Sequence, residues 1–195
     1  FDAKDWARWA DSTGLDKRGI AFVLNHPETV TFKRTTPRTL EQFFRQIENI
    51  EDLEKEGALV RRLGMGTVDD VTIGTFMSFV RDDLTELIDP EDILEAQDYK
   101  TIDVRLEQVG KDKDGNKRLD RISTICTRLF IHISREDYSP GPRDQSNLCA
   151  FLKSEHLVND IKVGLAMDIS KEATEQVRAM LRTDPQVAKL LLGSM

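Results

Sequence analysis

The apolar residues of this chain recur at intervals of three and four, and this spacing limits the possible folds more than any other feature. Its longest run has the apolar members Leu119, Ile122, Ile125, Cys126, Leu129, Phe130 and Ile133. Residues at this spacing share one face of an α-helix, whereas residues on one face of a strand alternate. The pattern therefore predicts a long amphipathic helix with a buried face.

Helix-start signals precede most of the other apolar stretches. Asp2, Asp16, Thr36 and Asp89 are good N-cap residues, and the last two each precede a proline, which suits the first helical position. About ten helices are predicted: Asp2 to Gly14, Asp16 to the residue before Pro27, Pro37 to about Asn49, about Glu51 to Leu63, one after a capping box at Thr67–Asp70, Asp89 to about Val109, Leu119 to Ile133, and shorter tail helices at 148–153, about 160–167, 171–182 and 185–192. We expect Gly64-Met65-Gly66 to end the fourth helix.

One segment leaves an alternative open. Residues 104–109 alternate in polarity and could form a strand, with a hairpin turn at Asp114-Gly115. The helix is preferred because the segment from Leu119 onward is so clearly helical. We predict an all-α fold, with a small helical bundle at residues 1–88 and a C-terminal helical extension or second bundle at 89–195. Residues 138–145, which include Ser-Pro-Gly-Pro, are predicted to be an exposed loop or linker.

Charge and composition exclude several classes of function. The net charge is −7, which argues against a nucleic-acid partner because such surfaces carry a basic excess. The sequence has no uninterrupted apolar run long enough to span a membrane. Cys126 and Cys149 fall on apolar helix faces, so we expect two free thiols and a cytoplasmic location. The chain begins with Phe1 rather than Met, and we interpret it as a piece of a longer polypeptide.

No pattern in the sequence predicts catalytic or metal-binding residues. A phosphate-binding P-loop is missing, and so is an apolar strand that ends in paired acids. His26, His132 and His156 are widely spaced, and neither H-E-x-x-H nor C-x-x-C occurs. We therefore expect that this chain, taken alone, binds no metal and hydrolyses no nucleotide.

Arg38 is the one residue whose position suggests a ligand. It follows the Thr36-Pro37 helix start, and a cation at a helix N-terminus opposes the helix dipole. This position is favourable if an anion binds there, because backbone N–H groups and a guanidinium together suit phosphate. Lys33 and Arg34 add two nearby cations, which predict either a phosphate-facing patch or a solvated loop. For Arg38 too, a solvated side chain is the alternative.

Three motifs occur in a particular order near the start of the chain: Trp6-Ala7-Arg8-Trp9-Ala10, His26-Pro27-Glu28 and Thr36-Pro37-Arg38-Thr39. This order resembles the C-terminal helical lid of MoxR-like AAA+ ATPases. The resemblance is good over the first third of the chain and continues loosely through Gly57 to Leu94. Leu40 stands where the family often has an aromatic residue. The resemblance implies that Arg38 is the sensor-2 arginine, which contacts the γ-phosphate of ATP.

The resemblance also implies partners. ATP would bind only together with a core domain of the same polypeptide, and neighbouring subunits would complete a ring. Such ATPases act as chaperone-like motors that remodel protein substrates, so residues 1–195 would be their nucleotide-sensing lid and helical extension. The alternative is a non-catalytic helical adaptor or scaffold, which uses its acidic surface and tail helices to bind another protein. A P-loop upstream of Phe1 would favour the lid.

Overall fold

The computed structural model describes residues 1–193, which form twelve α-helices and no strand. The chain divides into two compact units, Phe1–Glu86 (unit 1) and Leu87–Met195 (unit 2). The all-α prediction is confirmed. The expected count of about ten helices is low, because the helix predicted from Asp89 to Val109 is two helices.

Unit 1 contains five α-helices and two single 3₁₀ turns. The helices are α1 (Ala3–Ser12), α2 (Lys17–Asn25), α3 (Pro37–Ile47), α4 (Gly57–Thr67) and α5 (Asp70–Asp82), and the 3₁₀ turns are Pro27–Thr29 and Leu84–Glu86. As predicted, Asp2 and Asp16 cap α1 and α2 with their side chains. Gly14 follows α1 with a φ of 67°, a backbone conformation that glycine adopts without strain.

The core of unit 1 is a cluster of aromatic rings. Phe22, Phe43, Phe44 and Phe76 are fully buried. The ring of Phe76 meets those of Phe22 and Phe43 edge-on, with a centroid distance of 5.1 Å in both pairs. Edge-to-face pairs of this kind contribute about 0.5–1.5 kcal/mol beyond the burial of their surface. The cluster therefore fixes α2, α3 and α5 against one another.

The prediction that Gly64-Met65-Gly66 ends the fourth helix is wrong. Helix α4 continues through these residues to Thr67. A Cβ atom at position 64 would lie 2.4 Å from Cδ1 of Ile73, so the glycine lets α4 pack closely against α5. The requirement at this position is for a small side chain and not for a chain break.

Unit 2 contains seven helices arranged around α8. They are α6 (Pro90–Glu95), α7 (Tyr99–Val109), α8 (Leu119–Ile133), α9 (Asp144–Lys153), α10 (Asn159–Glu172), α11 (Glu175–Arg182) and α12 (Pro185–Gly193). Ten of the fifteen residues of α8 are buried, which makes it the central helix of the unit. The predicted stripe is confirmed except at its first member, because Leu119 is 42% exposed.

The helix predicted from Asp89 to Val109 is in fact two helices. Residues 96–98 separate α6 from α7. The side-chain amide of Asn147 donates hydrogen bonds to the carbonyl oxygens of Leu94 at 2.7 Å and Ala96 at 2.9 Å. These bonds satisfy carbonyl groups at the end of α6 that a continuous helix would have used internally. Residues 104–109 lie in α7, so the strand alternative is wrong.

The tail helices are also longer or shorter than predicted. Helix α9 begins at Asp144, inside the segment predicted to be an exposed loop, and α10 extends to Glu172. Thr174 then caps α11 by accepting a hydrogen bond from the N–H of Val177, which moves the start of that helix beyond the expected Lys171. None of the helices within residues 1–193 combines the length and the hydropathy needed to cross a bilayer.

Candidate anion-binding site at Arg38

Arg38 lies at the second position of α3, on a well-fixed helix start. The hydroxyl of Thr36 accepts the N–H of Thr39 at 3.2 Å, and the hydroxyl of Thr39 accepts the N–H of Thr36 at 2.8 Å. Further along, Leu40, Phe43, Phe44 and Ile47 anchor α3 in the core. The sequence therefore places Arg38 on a helix that can move only together with the rest of unit 1.

The guanidinium of Arg38 is exposed and makes no hydrogen bond or ion pair with any residue that the structure describes. The reciprocal bonds of Thr36 and Thr39 occupy one amide of the first turn, and Pro37 has no N–H. Within residues 1–193, the first-turn amide that remains without an acceptor is that of Arg38 itself. An anion here would therefore be held mainly by the guanidinium, with little help from the backbone.

The loop that leads into Arg38 is held by one carboxylate, that of Asp69. Its Oδ2 accepts hydrogen bonds from the hydroxyl of Thr31 at 2.9 Å and from both the N–H and the hydroxyl of Thr35 at 3.0 Å. Desolvation raises the pKa of Asp69, but these hydrogen bonds outweigh it and hold the pKa below its ordinary value of 3.8. Asp69 therefore stays ionised at neutral pH and ties the loop to the start of α5.

A second contact fixes the same loop from inside. The hydroxyls of Thr35 and Thr72 lie 2.7 Å apart, and both residues are buried. The hydroxyl of Thr72 also donates to the carbonyl oxygen of Thr29 at 3.4 Å. Sequence reasoning missed this polar network because it interpreted Asp69 as part of a capping box. The predicted box at Thr67–Asp70 is wrong, since Thr67 belongs to α4 and the side chain of Asp69, the residue before α5, makes no capping bond.

The structure separates the roles of the three neighbouring cations. Arg34 donates to the carbonyl oxygen of Met65 at 2.8 Å, near the C-terminal end of α4, where a cation is electrostatically favourable. Lys33 is exposed. Arg34 thus has a structural contact, and Arg38 has none within the described part of the chain.

Phe32 lies in the same loop and was missed by the sequence analysis. Its φ of 60° is in the left-handed region, which is unusual for a bulky residue, and 61% of its surface is exposed. Its ring meets that of Phe1 edge-on at a centroid distance of 6.4 Å. The loop thus presents an aromatic ring to solvent close in sequence to Arg38.

The remaining sequence candidates have structural roles. Trp6 is buried and Trp9 is 43% exposed, so the first of the two tryptophans belongs to the core. Cys126 and Cys149 are free and buried, as predicted. Burial raises the pKa of the Cys126 thiol to about 12, which leaves it an inert core side chain. Among the described residues, no group of three or more His, Cys, Asp or Glu side chains could hold a metal ion.

Comparison with known proteins adds no assignment: no family model, no curated protein and no solved structure matches this chain.

Proposed function

We propose that residues 1–86 act as the nucleotide-sensing lid of a MoxR-like AAA+ ATPase and that residues 87–195 form its helical extension. The observation that carries this proposal is the guanidinium of Arg38, which has no partner among the described residues and is held at the start of a helix anchored in the core. An exposed arginine without a partner at a rigid helix start suits a contact with phosphate from another domain. The choice of this ATPase family rests on the order of the three motifs near the start of the chain, which resembles that of MoxR-like lids.

In this proposal, a core domain of the same polypeptide binds ATP, and Arg38 supplies one charge-assisted contact to the γ-phosphate. Counting acceptors within residues 1–193, the first turn of α3 leaves just the amide of Arg38 available, so the guanidinium carries the interaction. The capping box and the buried rings of α3 couple Arg38 rigidly to unit 1. Loss of the γ-phosphate would therefore release unit 1 as one body, and neighbouring subunits in a ring could detect that movement.

The experiment is a comparison of arginine variants in the polypeptide that contains this chain together with its upstream region. Arg38→Ala should lower both ATP affinity and turnover, and Arg38→Lys should restore them only in part, because an ammonium cannot bind phosphate bidentately. Arg62→Ala is the matched control, since Arg62 is also exposed and without a partner among the described residues.

We expect the loss to exceed about tenfold, the factor that corresponds to one charge-assisted hydrogen bond. Thermal unfolding of the Arg38→Ala variant should match the wild type, which would show that the loss is not a folding defect. Unchanged affinity and turnover in Arg38→Ala, or an upstream region without a P-loop, would refute the proposal.

A non-catalytic helical adaptor is the second candidate, and one observation favours it. Unit 1 exposes two aromatic rings that contact each other, those of Phe32 (61%) and Phe1 (50%). Apolar surface of this kind often marks a protein–protein contact. In this case Arg38 would be a solvated helix-start residue, and its substitution would change neither nucleotide binding nor stability.

A further inference from the structure

Unit 2 contains a cavity of about 680 Å³ that neither candidate function uses. Its walls come from α6, from the end of α8, and from the start of α9 with the loop before it. The volume lies within the range of small-molecule sites, which is about 300–1,000 Å³. The Ser139-Pro140-Gly141-Pro142 segment belongs to this loop, and three of its residues line the cavity.

The walls are held in place by hydrogen bonds and by close packing. The two bonds from Asn147 to the end of α6 join that helix to α9. A Cβ atom at position 141 would lie 3.0 Å from Oδ1 of Asp144, so glycine lets the loop approach the first residue of α9. The site is thus built by elements that are fixed against each other.

Asp144 is the unusual group in the cavity wall. Only 6% of its surface is exposed, and the one hydrogen-bonding partner of its side chain among the described residues is the hydroxyl of Tyr138, which donates to Oδ2. Oδ1 therefore accepts no hydrogen bond from any residue within 1–193. Burial and the bond to Asp144 both raise the pKa of Tyr138, so its hydroxyl stays protonated and remains the donor.

A buried carboxylate with a single neutral donor is poorly compensated. Its position in the first turn of α9 places it at the positive end of a helix dipole, which compensates a buried carboxylate only in part. No ion pair within the described chain joins Asp144 to a cation, and the neighbouring Arg143 is exposed. Arg143 lines the cavity without pairing to Asp144, so this carboxylate lacks, within the described chain, the ion-pair partner that buried carboxylates normally have.

Two further carboxylates and two aromatic rings line the cavity, against the single cation of Arg143. Glu91 and Glu95 lie one turn apart on α6, and Nδ1 of His132 is 3.7 Å from Oε1 of Glu91. The rings of His132 and Tyr138 meet at a centroid distance of 5.5 Å and an angle of 68°. Carboxylates next to an aromatic face attract organic cations through charge and through the ring quadrupole.

We propose that this cavity binds a primary alkylammonium group, with the cation at Asp144 Oδ1 and its aliphatic stem between Tyr138 and Leu94. A metal ion fits less well, because no metal-binding group of acidic, His and Cys residues exists in the part of the chain that the structure describes. The ammonium could come from a free aliphatic amine or from a lysine side chain. The two sources share the same chemistry, and separate probes distinguish them.

The test is calorimetric titration of the full chain, at physiological salt, with 1,4-diaminobutane and with Nα-acetyl-lysine methylamide. Saturable one-site binding of either probe supports the proposal, and the tighter probe identifies the source. The neutral isostere 1,4-butanediol should not bind. No saturable binding by either cation, or equal binding of the diol, would overturn the proposal.

Substitutions locate the site. Asp144→Asn should weaken binding about tenfold or more, because a charge-assisted hydrogen bond is lost. Asp137→Asn is the matched control: it removes the same charge from an exposed residue outside the cavity lining and should leave affinity unchanged. Equal losses in both variants would mean that the amine binds the acidic surface in general, which would refute the site.

A second variant keeps the test decisive if Asp144→Asn does not fold. Glu95 is exposed and has no partner among the described residues, so Glu95→Gln should not disturb the fold. We expect this change to weaken amine binding a few-fold while thermal unfolding stays the same. Unchanged affinity in Glu95→Gln, when Asp144→Asn cannot be measured, would also count against the proposal.

Discussion

Gly19→Ala should destabilise unit 1, although the same substitution usually stabilises a helix. Gly19 is buried within α2, and a Cβ atom there would lie 2.4 Å, 2.6 Å and 2.7 Å from Cγ, Cδ2 and Cδ1 of the Phe44 ring. Carbon atoms in contact normally lie at least about 3.5 Å apart, so the ring would have to retreat by about 1 Å. Phe44 is fully buried and has ring neighbours in Trp6, Phe22, Phe43 and Phe76.

The sign of the effect follows from two opposing contributions. Replacing glycine by alanine inside a helix is worth about 1 kcal/mol. Overpacking a closed core costs about 1–3 kcal/mol, and the enclosed ring at Gly19 places the cost near the upper limit. We therefore expect a net loss of about 2 kcal/mol in the free energy of unfolding.

Gly74→Ala is the matched control, because it makes the same change inside a helix of the same unit. No atom lies within 4 Å of the position that its Cβ would occupy, so this variant should gain about 0.5–1 kcal/mol. Urea denaturation followed by tryptophan fluorescence reports unit 1 alone, since both tryptophans, Trp6 and Trp9, lie in it. A Gly19→Ala variant as stable as the wild type would show that the ring packing of unit 1 is not as described.

Two further predictions concern α8 and the loop before α3. Ile125→Asp should destabilise unit 2 by about 4 kcal/mol or more, since Ile125 is 1% exposed and the new carboxylate would be buried without a partner. Leu119→Asp is the control: this position is 42% exposed, so the temperature of thermal unfolding should change little. Asp69→Asn should lower stability at pH 7. The pKa of Asp69 is below 3.8 in the folded state, so the ionised carboxylate stabilises the fold above pH 3.8. This stabilisation disappears as the pH falls through the pKa of the folded state. Denaturation curves of wild type and variant should therefore converge in acid.

The helical class and most helix starts could be predicted because their signals are local. An N-cap side chain bonds to amides two or three residues away, as Asp2, Asp16 and Thr36 do. The period of the α8 stripe likewise depends only on neighbouring turns. The sequence therefore contained the information for these features within short windows, and the structure confirms them.

The helix boundaries at Gly64 and Glu95 are predicted wrongly because contacts with residues distant in sequence determine where these helices end. Glycine usually weakens a helix, so Gly64 suggests a helix end. In the structure the side chain of Ile73 fills the space that a Cβ atom at Gly64 would occupy, and the helix continues. The break after Glu95 has no strong local signal, and the amide that stabilises it belongs to Asn147, more than 50 residues away along the chain. Local propensity is a weak guide where tertiary contacts compete with it.

The same limitation applies to the candidate site at Arg38. The sequence predicts an exposed arginine at a capped helix start, but the loop that leads into it is fixed by Asp69, which comes more than 30 residues later. An aspartate just before a helix is expected to cap that helix, and nothing local distinguishes it from one that binds a distant loop. Asp69 thus connects the start of α5 to the loop before α3, so the orientation of Arg38 depends on the packing of unit 1 as well as on its own helix. A change in that packing would move the guanidinium without altering any residue of the Thr-Pro-Arg-Thr motif.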